Sequence, residues 1–120
     1  MKRFAFPRKA RLVREQEFRR VYRGGRRFTV SPLRFSVQAQ RQGGSRLGLA
    51  VGRKTGNAVV RNRWKRAVRE AFRLQRHALR APHDIVVAVD WEARPEDVAR
   101  VPEAFRKAIE LMNAREEGGA

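Results

Sequence analysis

The sequence contains no cysteine, which removes disulfides and cysteine-based zinc sites from consideration. It has only two histidines, His77 and His83, and a single tyrosine, Tyr22. No run approaches the roughly 18 apolar residues of a membrane-spanning helix. The segment from Met1 to Pro7 has no signal-peptide hydrophobic core. A soluble cytoplasmic protein with no membrane contact is expected. Acidic residues are scarce where basic ones are dense: residues 1–80 hold 24 Lys plus Arg against 3 acids, whereas residues 81–120 hold 5 against 9. The carboxylates that would normally balance such a surface are missing from its first two thirds.

What is present is a strongly basic chain of 120 residues with a net charge of +17. That length and an apolar content of 42% support a single domain over residues 1–120 with a modest core. The charge implies a polyanionic partner, nucleic acid before anionic membrane. Of the 29 cations, 24 are arginine, whose planar fork matches phosphate and stacks on bases.

Residues 1–13 are basic and aperiodic and read as an arm over the domain. Arg14 to Arg23 is a short helix with Phe18, Val21 and Tyr22 on one face, ended by Gly24-Gly25. Alternation predicts strands over 26–31 (Phe28, Val30), 33–39 (Leu33, Phe35, Val37, Ala39) and 46–52 (Leu47, Leu49, Val51). A long helix over about 58–78 follows, capped by Asn57. Ile85 to Val89 reads as a buried strand, Pro95 starts a turn, and Pro102 sits at the first position of a last helix carrying Phe105, Ala108, Ile109 and Met112. Residues 114–120 form a frayed tail. The other strand face carries Arg34, Ser36, Gln38, Gly48, Ala50 and Gly52, which reads as an open groove. The fold class is α+β, a single-domain α/β sandwich of order α-β-β-β-α-β-α with a four-stranded sheet.

The long helix divides its chemistry between two faces. Val60, Trp64, Ala67, Val68, Ala71 and Phe72 make a continuous apolar stripe at helical spacing. Asn62, Lys65, Arg66, Arg69 and Arg73 gather opposite, with Arg61 and Arg63 on the flanks. Only Glu70 interrupts the cations. A solvated helix face ordinarily mixes signs, so this face calls for an anionic partner.

Other motifs carry less. Gly52-Arg53-Lys54-Thr55-Gly56-Asn57 lacks the spacing of a nucleotide-binding loop and reads as a helix-start turn whose free N–H groups could meet a phosphate. His77 and His83 read as surface residues, without the context of general acid–base catalysis. Asp84, Asp90, Glu92, Glu96 and Asp97 read as strand-end and first-turn residues, and no metal site is assigned. Phe18 and Tyr22 read equally well as core anchors or as an exposed stacking pair.

The stretch Arg46-Leu47-Gly48-Leu49-Ala50-Val51-Gly52-Arg53-Lys54-Thr55-Gly56-Asn57-Ala58-Val59-Val60-Arg61-Asn62-Arg63-Trp64-Lys65-Arg66 resembles the signature of the bacterial ribonuclease P protein subunit. Glu17 to Gly25 matches that family's first helix, and Asp84-Ile85-Val86-Val87 its last strand, so the resemblance covers about residues 4–112. It implies an endoribonuclease component in tRNA 5′ maturation. An RNA subunit performs the cleavage, using Mg²⁺ held by RNA, and the protein supplies neither catalytic side chain nor bound cofactor. By the same resemblance Arg61, Asn62, Arg63, Lys65, Arg66 and Arg69 bind the RNA subunit. Phe18, Tyr22, Arg53, Lys54, Ser36 and Asn57 meet the 5′ leader of precursor tRNA, with Phe18 and Tyr22 as an exposed pair. A left-handed crossover around the long helix and a monomeric protein, one per RNA, are also implied.

Two positions depart from the family pattern. Some relatives have an aromatic where Ser36 aligns. A basic pair often follows the last strand where this chain has Asp90-Trp91, leaving that end of the cleft either less cationic or with its stacking moved to Trp91. Competing readings are a ribosomal or other assembly protein with the same basic helix, and a protein ribonuclease acting alone, which lacks its acid–base residues. A four-stranded single-strand reader lacks the required sheet aromatics.

Overall fold

The computed structural model describes residues 8–40 and 43–117, the side chains of 116 and 117 excepted. Four strands form one sheet: β1 (Arg26–Val30), β2 (Leu33–Ala39), β3 (Arg46–Ala50) and β4 (His83–Val89), in the order β1-β2-β4-β3. β1 and β2 are antiparallel, as are β2 and β4, whereas β3 and β4 run parallel with Gly48 opposite Val86. Three α-helices complete the fold: α1 (Glu15–Gly24), α2 (Ala58–Gln75) and α3 (Val101–Glu117). α2 connects the two parallel strands. The chain is thus α+β in the predicted element order.

Strand alternation assigns the layers. Leu33, Phe35, Val37, Leu47, Ile85, Val87 and Val89 are buried in the main core with α2 and α3. The α2 stripe contributes Trp64, Val68, Ala71 and Phe72, and α3 contributes Val101, Ala104, Phe105, Ala108, Ile109 and Met112. Phe105 sits edge-on to Phe35 at 5.7 Å and to Phe72 at 6.3 Å, so one ring ties sheet, α2 and α3 together. The opposite sheet face carries a smaller core of Leu12, Val21 and Val86, with Phe18 and Ala50 packed against it. α1 therefore covers part of the face expected to be an open groove. Val86 is the reason: it points to the far side of the apolar run Ile85 to Val89, and its side chain needs a cover.

Local chemistry sets the helix starts. Asn57 Oδ1 accepts the Val60 N–H at 3.0 Å, the expected cap of α2. Gly56 precedes it at φ +148°, a backbone that favours glycine. α1 begins after Arg14, and Glu17 Oε1 accepts the N–H groups of both Val13 and Arg14 at 2.9 Å, satisfying two donors at the helix start.

Several boundaries differ from the sequence reading. β1 ends at Val30, where the chain turns at Ser31-Pro32 into β2, and β3 ends at Ala50, ahead of a tight turn at Arg53–Thr55. α2 stops at Gln75 and passes into a tight turn at Arg76–Ala78. β4 begins at His83, two residues early, and Pro102 is the second residue of α3. α3 continues to Glu117, so the frayed tail expected from 114 begins no earlier than 118, outside the described residues. The expected arm of 1–13 is described from Arg8: a short turn, then a parallel bridge between Arg11 and Leu47, with the Leu12 N–H donating to the Leu47 carbonyl at 2.8 Å. His83, expected at the surface, is only 4% exposed. Its backbone N–H donates to Ser45 Oγ at 3.0 Å, and its Nδ1 lies 2.9 Å from the Ala81 carbonyl.

Candidate nucleic-acid interface

Two basic surfaces meet at the turn Arg53–Thr55. The first is the outer face of α2. Its inward stripe is held in the core, so Asn62, Arg63, Arg66 and Arg69 are exposed and Arg61 and Lys65 are half-buried. Among the described residues, no carboxylate lies within ion-pair distance of Arg61, Arg63, Lys65, Arg66 or Arg69. The one acid of the helix, Glu70, is paired with Arg73. On α3, by contrast, Arg106 is held between Glu103 and Glu110, the ordinary pattern of a solvated helix. The exposed Val59 lies among Asn62, Arg63 and Arg66 around a shallow depression of about 340 Å³.

The second surface is a groove on the α1 side of the sheet. A cavity of about 550 Å³ is bordered by Tyr22, Arg27, Arg34 and Ser36, with Ala50, Val86 and Ala88 along β3 and β4. It shares Arg34 and Ala50 with a cavity of about 290 Å³ lined by Gly52, Arg53, Lys54, Thr55, Asp90 and Trp91. The two make one continuous trough. Tyr22 is 37% exposed at one end, with the Arg27 guanidinium 5.8 Å from its ring centroid. Burial pushes its hydroxyl above the ordinary tyrosine value despite Arg27 and Arg34, so the phenol remains a donor at neutral pH. Trp91 marks the other end.

A buried polar cluster holds α1 over the sheet. The Asp84 carboxylate is buried and takes two bonds from Arg46 and one from Gln40 at 2.6 Å. Arg46 also donates to Glu17 on α1 at 3.0 Å. The wall of the groove is thereby tied to its floor.

A trough with an aromatic end wall, beside a helix face whose Arg61, Arg63, Lys65, Arg66 and Arg69 have no acidic partner among the described residues, suits single-stranded nucleic acid on one surface and a folded polyanion on the other. Among the described residues no group of His, Cys, Asp or Glu is arranged to hold a metal ion, and none of the helices is long and apolar enough to cross a membrane.

A family profile described as ribonuclease P matches residues 6–113. The chain belongs to the ribonuclease P protein family. It is 40% identical over 114 residues to the ribonuclease P protein component of Desulfotalea psychrophila, covering 91% of this chain and 88% of that one. The corresponding protein of Desulfovibrio desulfuricans is 41% identical, covering 84% of this chain and 81% of that one. Among solved structures, the Staphylococcus aureus RNase P protein superposes with a TM-score of 0.76 at 25% identity, covering 85% of this chain and 94% of that one. The Thermotoga maritima RNase P protein gives a TM-score of 0.71 at 28% identity, over 87% and 96%.

Against the residues that the ribonuclease P resemblance implied, the geometry is selective. Arg61, Asn62, Arg63, Lys65, Arg66 and Arg69 share α2 and are at least partly accessible. Tyr22, Ser36, Arg53 and Lys54 line the one trough. Phe18 does not. It packs on Gly48, where a Cβ would lie 2.7 Å from Phe18 Cζ, and it borders a separate cavity with Leu12, Leu47, Leu49, Lys65 and Arg69. The expected exposed pair is thus split into one packed and one accessible ring, because Val21 alone does not cover β3. Asn57 is exposed but uses its carbonyl oxygen as the α2 cap and lines neither trough cavity. Arg27 and Arg34 were not among the residues expected to meet the leader. Their outward positions on β1 and β2 were the available signal.

Proposed function

We propose that this chain is the protein component of ribonuclease P. It docks the RNA subunit on the outer face of α2 and receives the 5′ leader of precursor tRNA in the trough, aiding endonucleolytic removal of the leader. The observation that carries the reading is the row of five α2 cations without acidic partners, set beside a trough containing Tyr22, Arg34, Arg53 and Lys54. RNA neutralises such a row with release of counterions, which makes binding steep in salt. Tyr22 offers a face for an unpaired base, and the cations beyond it meet phosphates.

Cleavage belongs to the RNA subunit with Mg²⁺ held by RNA, and the protein lowers the Mg²⁺ demand by fixing positive charge near the backbone. Neither histidine has the setting of general acid–base catalysis, since His77 is exposed and His83 is turned to a backbone carbonyl. The protein acts as a monomer, one per RNA, in the cytoplasm.

Reconstitution tests this directly. A bacterial ribonuclease P RNA at low Mg²⁺ should gain precursor-tRNA cleavage when the protein is added, and purified protein alone should cut nothing. Cleavage by the protein alone, abolished by His77→Ala or His83→Ala, would overturn the assignment of chemistry to RNA.

A further inference from the structure

Trp91 is the most exposed aromatic side chain among the described residues, at 72%. A single exposed apolar residue is ordinary on a protein surface, so exposure alone decides nothing. Its setting is more specific. The Arg34 guanidinium lies 4.5 Å from the indole centroid and the Lys54 ammonium 5.7 Å from it, both within cation–π range. The turn that carries it is anchored: the Asp90 N–H donates to the Pro32 carbonyl at 2.9 Å and the Ala93 N–H to the Asp90 carbonyl at 3.1 Å. The ring therefore stands at the mouth of the trough on a fixed backbone.

The space beside it is small, about 290 Å³, near the lower end of ligand cavities. That is room for one base rather than a folded element. The charges around it are those a nucleotide needs. Arg53 and Lys54 have no carboxylate in ion-pair range among the described residues. Asp90, the one acid lining this cavity, lies 4.0 Å from Arg34 Nε, and that buried Nε has no hydrogen-bond acceptor. A donor is left open where the two cavities join. Between Tyr22 and Trp91 the lining includes Ser36, Ala50 and Ala88, small side chains that leave a strand room to lie between two aromatic ends.

We propose that Trp91 is a second stacking platform of the trough. One unpaired base of the precursor-tRNA leader lies on its indole face, with Arg53 and Lys54 on the adjoining phosphates. This rests on the leader reading above and adds a specificity element to it. A larger ring system stacks better, so the platform favours a purine over a pyrimidine at one leader position, a preference set by stacking strength rather than by hydrogen-bond readout.

The test uses reconstituted holoenzymes carrying wild-type protein, Trp91→Leu, Trp91→Phe and Tyr22→Leu. Each is titrated at fixed salt with mature tRNA and with precursors bearing a purine or a pyrimidine at each leader position in turn. Trp91→Leu should lose about fivefold or more in precursor affinity. It should keep wild-type affinity for mature tRNA and lose the purine preference at a single position, and Trp91→Phe should restore most of both. If Tyr22→Leu weakens precursor binding selectively but Trp91→Leu does not, the platform is wrong and the leader reading stands. If neither separates precursor from mature tRNA, both fall. Equal weakening of the two RNAs by Trp91→Leu would put Trp91 against the tRNA body or the RNA subunit and overturn the inference.

Discussion

Arg46 and Asp84 face each other across the parallel strands β3 and β4 and share two hydrogen bonds, Nε to Oδ1 at 2.9 Å and Nη2 to Oδ2 at 2.8 Å. The Asp84 side chain is only 3% exposed, so the fork supplies the hydrogen-bond donors that water would otherwise give it. The remaining guanidinium nitrogen, Nη1, reaches Glu17 on α1. One arginine thus joins the strand pair to the helix that walls the trough.

Removing that fork strands a buried carboxylate. Arg46→Met should destabilise the protein by about 3 kcal/mol or more, with Arg46→Lys intermediate because it keeps the charge but loses the two-pronged geometry. Adding Asp84→Leu to Arg46→Met should recover much of the loss. Urea unfolding measures all three, and a loss below about 1 kcal/mol for Arg46→Met would show that the pair does not hold the sheet.

Glu17 links stability to pH. Its carboxyl is held below the ordinary range, chiefly by the backbone N–H groups of Arg14 and Val13, with Arg46 adding to the effect. A depressed folded-state pKa contributes stability above the unfolded value of about 4.3 and loses it as pH falls through the folded value. Glu17→Gln should therefore cost about 0.5–1 kcal/mol at pH 7, allowing for solvent screening. The difference from wild type should shrink at about pH 3. A difference that is constant with pH would mean the carboxylate charge plays no part.

The α2 cations should act through phosphate. Arg61, Arg66 and Arg69 changed together to Ala should leave the fold intact, since Trp64, Val68, Ala71 and Phe72 are untouched. The slope of log affinity for the RNA subunit against log salt should fall by about 0.7–0.9 for each phosphate the protein no longer neutralises. Arg106→Ala on α3, whose guanidinium is already paired with Glu103 and Glu110, serves as the control and should leave the slope unchanged. Equal effects of the two variants would remove α2 as the docking face.

Phe18 and Tyr22 should separate in their effects. Gly48→Val drives a side chain into Phe18 and should cost about 1–3 kcal/mol through the displacement of α1. Phe18→Leu should lower the unfolding midpoint. Tyr22→Leu should scarcely change it and should weaken precursor binding relative to mature tRNA, since one stacked base is worth about 1–3 kcal/mol. Loss of stability in Tyr22→Leu, with unchanged precursor preference, would place Tyr22 in the core instead.

Much of this molecule was determined by local sequence. The α2 stripe from Val60 to Phe72 states its helical period over more than three turns, and Asn57 announces its start, because capping and periodicity are short-range effects. The alternation of β2 likewise names its core face, and the shortage of acids before residue 81 names the charge of the working surface. Tertiary structure decided what depends on distant partners. Val86 and Gly48 lie far apart in sequence but side by side in the sheet, and together they draw Phe18 down, splitting an aromatic pair that helical spacing alone would keep together. His83 and Asp84 read as surface and strand-end residues until β4 is placed between β2 and β3, where Ser45, Gln40 and Arg46 close around them. The trough itself is set by register: Arg34, Lys54 and Trp91 converge only because strand pairing brings the ends of β2 and β4 beside the turn after β3, and pairing of that kind leaves no periodic trace in the chain.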